Sequence, residues 1–164
     1  MIKYSLRKWD AGRDTLRSII CKTEKQKRYY WNYIDIVKMV CRTMLNVNMI
    51  EGDPEIDVDK ITMIDNGDYQ GTLLFMLPFC TYQPSESDYL MTFVNYGSCS
   101  GCDTLQIIQS EEDSLSNQDM TDSYLTLCRD IVNNIIRPYN YGWRNKEMFD
   151  HVEDGDVNTG GDNN

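Results

Sequence analysis

The chain has one histidine, four prolines and no apolar run approaching the roughly 20 residues that a helix needs to cross a bilayer. The missing run argues against a membrane-spanning helix and against a membrane partner. The opening residues, MIKYSLRKWD, lack the apolar stretch of a secretory signal, so a cytoplasmic location is expected. Thiols stay reduced there, and six cysteines then read as core residues and ligands rather than as three disulfides. The single histidine, His151, has no serine or cysteine partner in view, which leaves histidine-based catalysis without its other members. No loop has the spacing of a P-loop or a Rossmann phosphate cradle, and there are no internal repeats. Glu111, Glu112 and Asp113 are adjacent in a polar stretch and read as a solvated charge run, not an acid/base pair. With no catalytic set in sight, a non-enzymatic protein is expected.

What is present is charge, unevenly placed. The chain of 164 residues is 41% hydrophobic and 26% charged, the composition of one ordinary globular domain. Its net charge of −10 hides a polarity: residues 1–44 hold eleven of the sixteen Lys and Arg against four acids, and the remainder holds twenty-two acids against five bases. We expect a single α+β domain over 1–146, with a basic helical arm over 1–48 and an acidic flexible tail over 147–164. An acidic body repels nucleic acid and favours basic surfaces on other proteins. Alternatively the arm lies on the body and neutralises it within the molecule.

Periodicity gives the order of elements. Residues 11–22 place Leu16, Ile19 and Ile20 on one helical side, and Tyr30, Ile34, Val37, Cys41, Met44 and Leu45 form the stripe of a long helix over 24–45. Lys25, Lys27, Arg28, Lys38 and Arg42 fall mostly outside that stripe, beside Tyr30, Trp31 and Tyr33, aromatics that could stack bases. Residues 51–59 are an acidic connector. Three strands follow: KITMID up to Asn66-Gly67, a hairpin signal; DYQGTLLFMLPFCTY, with a buried centre from Leu73 to Phe79; and DYLMTFVNYG, where Asp88, Tyr89 and Thr92 suggest one wet face. Residues 103–110 read as a short helix with Asp103 at its N-cap. Thr121 opens a last helix with Leu125, Cys128, Val132, Ile135 and Ile136 buried, ended by Pro138. The fold expected is therefore α+β: a three-stranded antiparallel meander packed against a long N-terminal helix and C-terminal helices.

The sharpest chemical signal is NYGSCSGCDTLQ, residues 95–106. A Cys-x-x-Cys turn is a zinc half-site, and zinc takes four N, S or O ligands. A second pair is missing, so Cys99 and Cys102 need Asp68 and Asp103, with Cys128, Cys41, His151 or water as alternatives. With Asn66-Gly67 as a two-residue turn, Asp65 faces Asp68 and Gly71 lies near Thr62. With PSES as the next turn, Gln83 faces Asp88, Cys99 falls beside Thr72 and Cys102 near Tyr69. The loop then shares an end of the sheet with Asp65, Asp68 and Asp103, while Cys80 lies on the order of 25 Å away. The same dithiol could instead exchange electrons, since a helix N-terminus favours the thiolate. Against that reading, the motif follows an antiparallel meander rather than a βαβ strand, and no cis-proline candidate stands opposite.

GDYQG at 67–71 together with YGSCSGCDTLQ at 96–106 resembles small proteins of phages and other mobile elements of Gram-positive bacteria, over about 40 residues. Size, acidity and the cysteine loop are also similar to metal-binding type II-A anti-CRISPR proteins. The resemblance implies inhibition by binding to an RNA-guided CRISPR nuclease, whose basic channel for guide and target would be obstructed before target DNA loads. It implies Cys99 and Cys102 as metal ligands, with zinc as the cofactor. Two other functions compete: a small cytosolic redox protein using Cys99 and Cys102, and a nucleic-acid-binding module working through the basic N-terminal helix.

Overall fold

The structure, a computed structural model, describes residues 1–99 and 101–138. It is an α+β fold. Helix α1 spans Ile2–Lys22, α2 Lys25–Tyr29 and α3 Tyr33–Val40; strands β1 Thr62–Asp65, β2 Gly71–Pro78 and β3 Tyr89–Tyr96 follow; α4 Thr104–Glu111 and α5 Asn117–Asn133 close the described chain. The sheet is antiparallel in the order β1-β2-β3. No helix of the described residues is long and apolar enough to cross a membrane.

The N-terminal helix begins nine residues before the expected start at 11, and the reason is its buried face. Tyr4, Lys8, Gly12, Leu16 and Ile20 recur every fourth residue on the side that meets the core. A lysine and a glycine stand where periodicity looks for apolar residues. Lys8 is fully buried, and its Nζ donates to the carbonyls of Leu45 and Val47 at 2.8 and 3.0 Å. Gly12 lets α1 approach closely: a Cβ there would lie 2.4 Å from the Thr43 carbonyl oxygen. Ile19, expected inside, is 39% exposed.

The long helix expected over 24–45 is broken. Asn32 interrupts it by capping α3: its side chain accepts from the Asp35 amide at 3.0 Å, and the Asp35 carboxylate accepts from the Asn32 amide at 3.1 Å. This capping box satisfies two amide donors that the start of any helix leaves free. α3 then widens into a π-helical turn over Cys41–Leu45, closed by the Asn46 amide on the Cys41 carbonyl. The break rotates the stripe. Tyr33, Ile36, Val37, Val40, Cys41, Met44 and Leu45 are buried, and Tyr30, expected inside, is 80% exposed.

The strands form where expected but in another register. β1 pairs with β2 as Thr62↔Met76 through Asp65↔Leu73, and β2 with β3 as Gly71↔Tyr96 through Pro78↔Tyr89. The first connection is thus a five-residue loop over 66–70 rather than an Asn-Gly turn, with the Asn66 amide on the Thr72 carbonyl. Asp65 faces Leu73, not Asp68, and the shift is odd, so the faces exchange. The second register moves by an even number of residues and keeps its faces. Leu73, Phe75 and Leu77 lie opposite Val94, Thr92 and Leu90, and all six are buried. Thr92, expected on a wet face, is fully buried because its hydroxyl donates to the Ile131 carbonyl at 2.7 Å. All of β1 is exposed.

α5 begins at Asn117, four residues earlier than expected, because Ser116 caps it by accepting from the Asp119 amide. It ends at Asn133, ahead of Pro138: Ile136 leaves the helix to bridge Met91 on the outer edge of β3. The connector over 51–59 sends Ile56 and Val58 into the core, and Asn46 clips Ile56 by two hydrogen bonds of 2.8 Å.

Candidate functional site at the cysteine loop

β3 delivers the chain to Gly97, and α4 takes it up at Thr104. Between them the turn closes on itself: the amides of Cys102 and Asp103 both donate to the Cys99 carbonyl, at 2.9 and 3.2 Å. Gly97 is needed beneath it, since a Cβ there would overlap the Cβ of Cys102 at 2.1 Å. Asp103 caps α4, its Oδ1 accepting from the Gln106 amide at 2.9 Å and from the Tyr33 hydroxyl at 3.0 Å. The same Tyr33 oxygen accepts from the Leu105 amide at 3.1 Å. A buried tyrosine on α3 therefore fixes both the cap and the first turn of α4, and burial raises its phenol above the ordinary range.

Cys99 and Cys102 are free and exposed. The Cys102 thiol and the amides of Gly101 and Cys102 hold the Cys99 thiol below its ordinary value, and the facing Cys99 sulfur raises Cys102. This division is what a pair of adjacent thiols produces when one carries the negative charge and its neighbour keeps the proton. The other cysteines differ. Cys41 and Cys128 are fully buried, and burial pushes each thiol up to about 12. Cys80 lies beyond the far end of β2, its amide on the Glu55 carbonyl, and burial and then Glu55 raise its thiol.

The sequence placed Asp65 and Asp68 at the same end of the sheet as the cysteines, and the strands do so through Tyr96, whose hydroxyl donates to Asp65 Oδ1 at 2.7 Å. Hydrogen bonding to Asp65, with Asp68 nearby, raises the Tyr96 phenol. Asp68 is exposed on the 66–70 loop, and Asp103 is buried with its Oδ1 turned to Tyr33 and Gln106. Among the described residues no three Cys, His, Asp or Glu side chains are grouped to hold a metal ion. Two thiolates are half of the zinc set. The described residues group no third ligand with them. His151 and the tail expected over 147–164 lie outside the described residues.

Six of the arm's cations are held in ion pairs with acids of the body, some buried and some exposed. Arg7 and Lys8 pair with Asp53 at 2.7 and 2.9 Å, Arg17 with Asp122 at 2.5 Å, Arg28 with Glu112 at 2.6 Å, Arg42 with Asp59 at 3.3 Å, and Lys25 with Asp113. Glu112, read as part of a solvated run, is 6% exposed and Arg28 is 4% exposed. Tyr33 is buried, and Trp31 packs edge-on to Tyr124 with ring centroids 5.2 Å apart. Of the aromatics offered for base stacking, Tyr30 stays freely exposed, with Tyr29 beside it.

A groove of about 490 Å³ between α1 and α5 escaped the sequence reading. It is lined by Trp9, Arg13, Arg17, Asp122, Thr126 and Arg129 among others. Its signal was present as Trp9, Arg13 and Arg17 at four-residue steps, hidden because the helical face was followed only from residue 11. No family model, curated protein or solved structure matches this chain.

Proposed function

We propose that this protein is a non-enzymatic inhibitor that works by binding a partner with a strongly basic surface, of the kind an RNA-guided nuclease presents to guide and target. One observation supports the reading above the others: six of the arm's eleven cations are taken up by only five acids of the body, Asp53, Asp59, Glu112, Asp113 and Asp122, so the arm's positive charge is largely spent while most of the body's acids are left over. Glu51, Glu55, Asp68, Glu86 and Glu111 are exposed, and no ion pair engages them among the described residues. Such a surface gains on-rate and selectivity toward a basic groove, and the gain falls with ionic strength.

The test is target-DNA loading by an RNA-guided nuclease preincubated with the protein. Loading is expected to fall at stoichiometric inhibitor in low salt, to recover as salt is raised, and to recover also when Asp68 and Glu111 are changed to lysine. Unimpaired loading in low salt with the protein in excess rejects the proposal.

A further inference from the structure

We propose that Cys99 and Cys102 form a reactive dithiol that closes into a disulfide across its own turn by exchange with a low-molecular-weight aliphatic disulfide. The inference is independent of the binding function proposed above. Three observations carry it. The two cysteines stand three residues apart in one turn, and both thiols are free and exposed. The turn between them is already tight, with the Cys102 amide on the Cys99 carbonyl at 2.9 Å, so the peptide need not rearrange at length to join them. The platform beneath is fixed independently of the sulfurs: Asp103, Tyr33 and the α4 amides are bonded to one another, and Gly97 seats the Cys102 Cβ.

The exchange balances in two steps. The Cys99 thiolate attacks one sulfur of the small disulfide, forming a mixed disulfide and expelling one thiolate. Cys102 loses its proton and attacks the Cys99 sulfur, forming the Cys99–Cys102 bond and expelling the second thiolate. The protein gives up two electrons and two protons, and the small disulfide becomes two thiols. Selectivity follows from placement. Cys41 and Cys128 have no access to the reagent, and Cys21 and Cys80 are exposed but stand alone, so either can carry an adduct but neither can resolve it.

The experiment uses the full chain, reduced and then equilibrated in buffers of varied oxidised and reduced glutathione, acid-quenched, alkylated and mapped by mass. The expected product lacks two hydrogens within a peptide containing residues 99–102 and carries no glutathione there, while Cys21 and Cys80 are found either alkylated or carrying glutathione, never in a disulfide within the chain. Cys102→Ser is expected to trap glutathione on Cys99, because the resolving thiol is gone. The serine variant keeps the Cβ that packs on Gly97, and an unchanged thermal melt verifies that it is folded. The proposal is overturned if Cys99 and Cys102 remain alkylated in the most oxidising buffer, if the wild-type loop retains glutathione as Cys102→Ser does, or if the two-hydrogen deficit maps to another pair.

Discussion

Replacing Arg28 with methionine tests how the arm is fastened to the body. The Nε and Nη2 of Arg28 donate to Glu112 Oε1 at 2.8 and 2.6 Å. Its Nη1 donates to the carbonyls of Ile20 and Thr23 and to Asn117 Oδ1, at 3.0, 2.9 and 3.0 Å. One side chain thus ties the end of α1, α2 itself, the residue after α4 and the first residue of α5. Methionine keeps much of the apolar stem and removes every donor. Two effects oppose each other. Replacing a whole buried ion pair by apolar residues is often neutral or stabilising by about 1–4 kcal/mol, because two desolvated charges disappear together. Removing one partner alone strands the other, which costs about 3–5 kcal/mol. Here the stranded group is Glu112, whose Oε2 is already buried without a hydrogen-bond partner among the described residues. The orphaned Ile20 carbonyl adds to the penalty, at about 1–3 kcal/mol for a buried acceptor left unmade. The single-partner penalty therefore wins, and Arg28→Met is expected to lose about 4 kcal/mol or more, a large share of the roughly 5–15 kcal/mol that holds a domain together. Adding Glu112→Leu to the same chain should return at least half of that loss. Urea unfolding followed by far-UV circular dichroism measures both. A loss below about 1 kcal/mol in the single variant, or no recovery in the double, refutes the account of the clamp.

Gly12→Ala sets helix propensity against packing: alanine favours the helix by about 1 kcal/mol, but its Cβ would sit 2.7 Å from Met44 Cγ and 2.9 Å from Met44 Cα, and overpacking of this kind costs about 1–3 kcal/mol. Net destabilisation in urea is expected, and a more stable variant would show that the close approach of α1 to the π-helical turn is not real. Lys8→Met leaves Asp53 with Arg7 but strands the Leu45 and Val47 carbonyls, so a loss of about 2–3 kcal/mol in the same assay is expected, smaller than for Arg28. Burial works to raise the Asp53 carboxyl, yet hydrogen bonds from Arg7, Lys8 and the Ile50 amide outweigh it and hold the group below the ordinary carboxylate range. A depressed carboxyl contributes stability above its unfolded value of about 3.9 and loses it as pH falls through the folded value. The stability gap between wild type and Asp53→Asn should therefore be constant from about pH 5 upward and shrink below about pH 4, and a gap that widens on acidification would reverse the sign of the argument.

The elements that were legible in the sequence are those whose burial is apolar and local. The α5 stripe through Leu125, Cys128 and Val132, the apolar centre of β2 and the Asp103 cap of α4 are each fixed by residues close in sequence, and each stands where expected. What was not legible involves charge carried inside or pairing set at a distance. Lys8, Arg28 and Glu112 look like surface residues until the carbonyls and counter-charges that satisfy them are known: the Leu45 carbonyl lies 37 positions from Lys8, and Arg28 and Glu112 lie 84 positions apart. Asn32 carried its own signal, an Asn followed three residues on by an acid, but the apolar recurrence across it read as one helix. The Asn-Gly pair misled because the loop is closed differently: Asp65 Oδ1 accepts from the Gly67 amide and the Tyr96 hydroxyl, which extends the connection to 66–70 and moves the register by an odd step. At the site, the neighbouring thiols follow from their spacing alone, whereas Tyr33, seventy positions from Asp103, could be found only from the packed chain.

The ion pairs of the arm divide into two kinds, and the division decides what salt can report. Arg28–Glu112 and Lys8–Asp53 have side chains no more than 5% exposed, and their surroundings keep counter-ions away. Arg42–Asp59 and Lys25–Asp113 are largely exposed, and such pairs contribute about 0–1 kcal/mol and are screened over a Debye length of about 10 Å at 0.1 M salt. Raising salt therefore loosens the outer contacts of the arm while the buried clamps go on holding it to the body. Lys8 and Arg28 stay inside, and the acidic exterior is weakened as an attractor without the domain coming apart. A partner released by salt from this protein is released because the field between two surfaces has been screened, and a melt at the same salt that shows no loss of the fold separates that cause from unfolding.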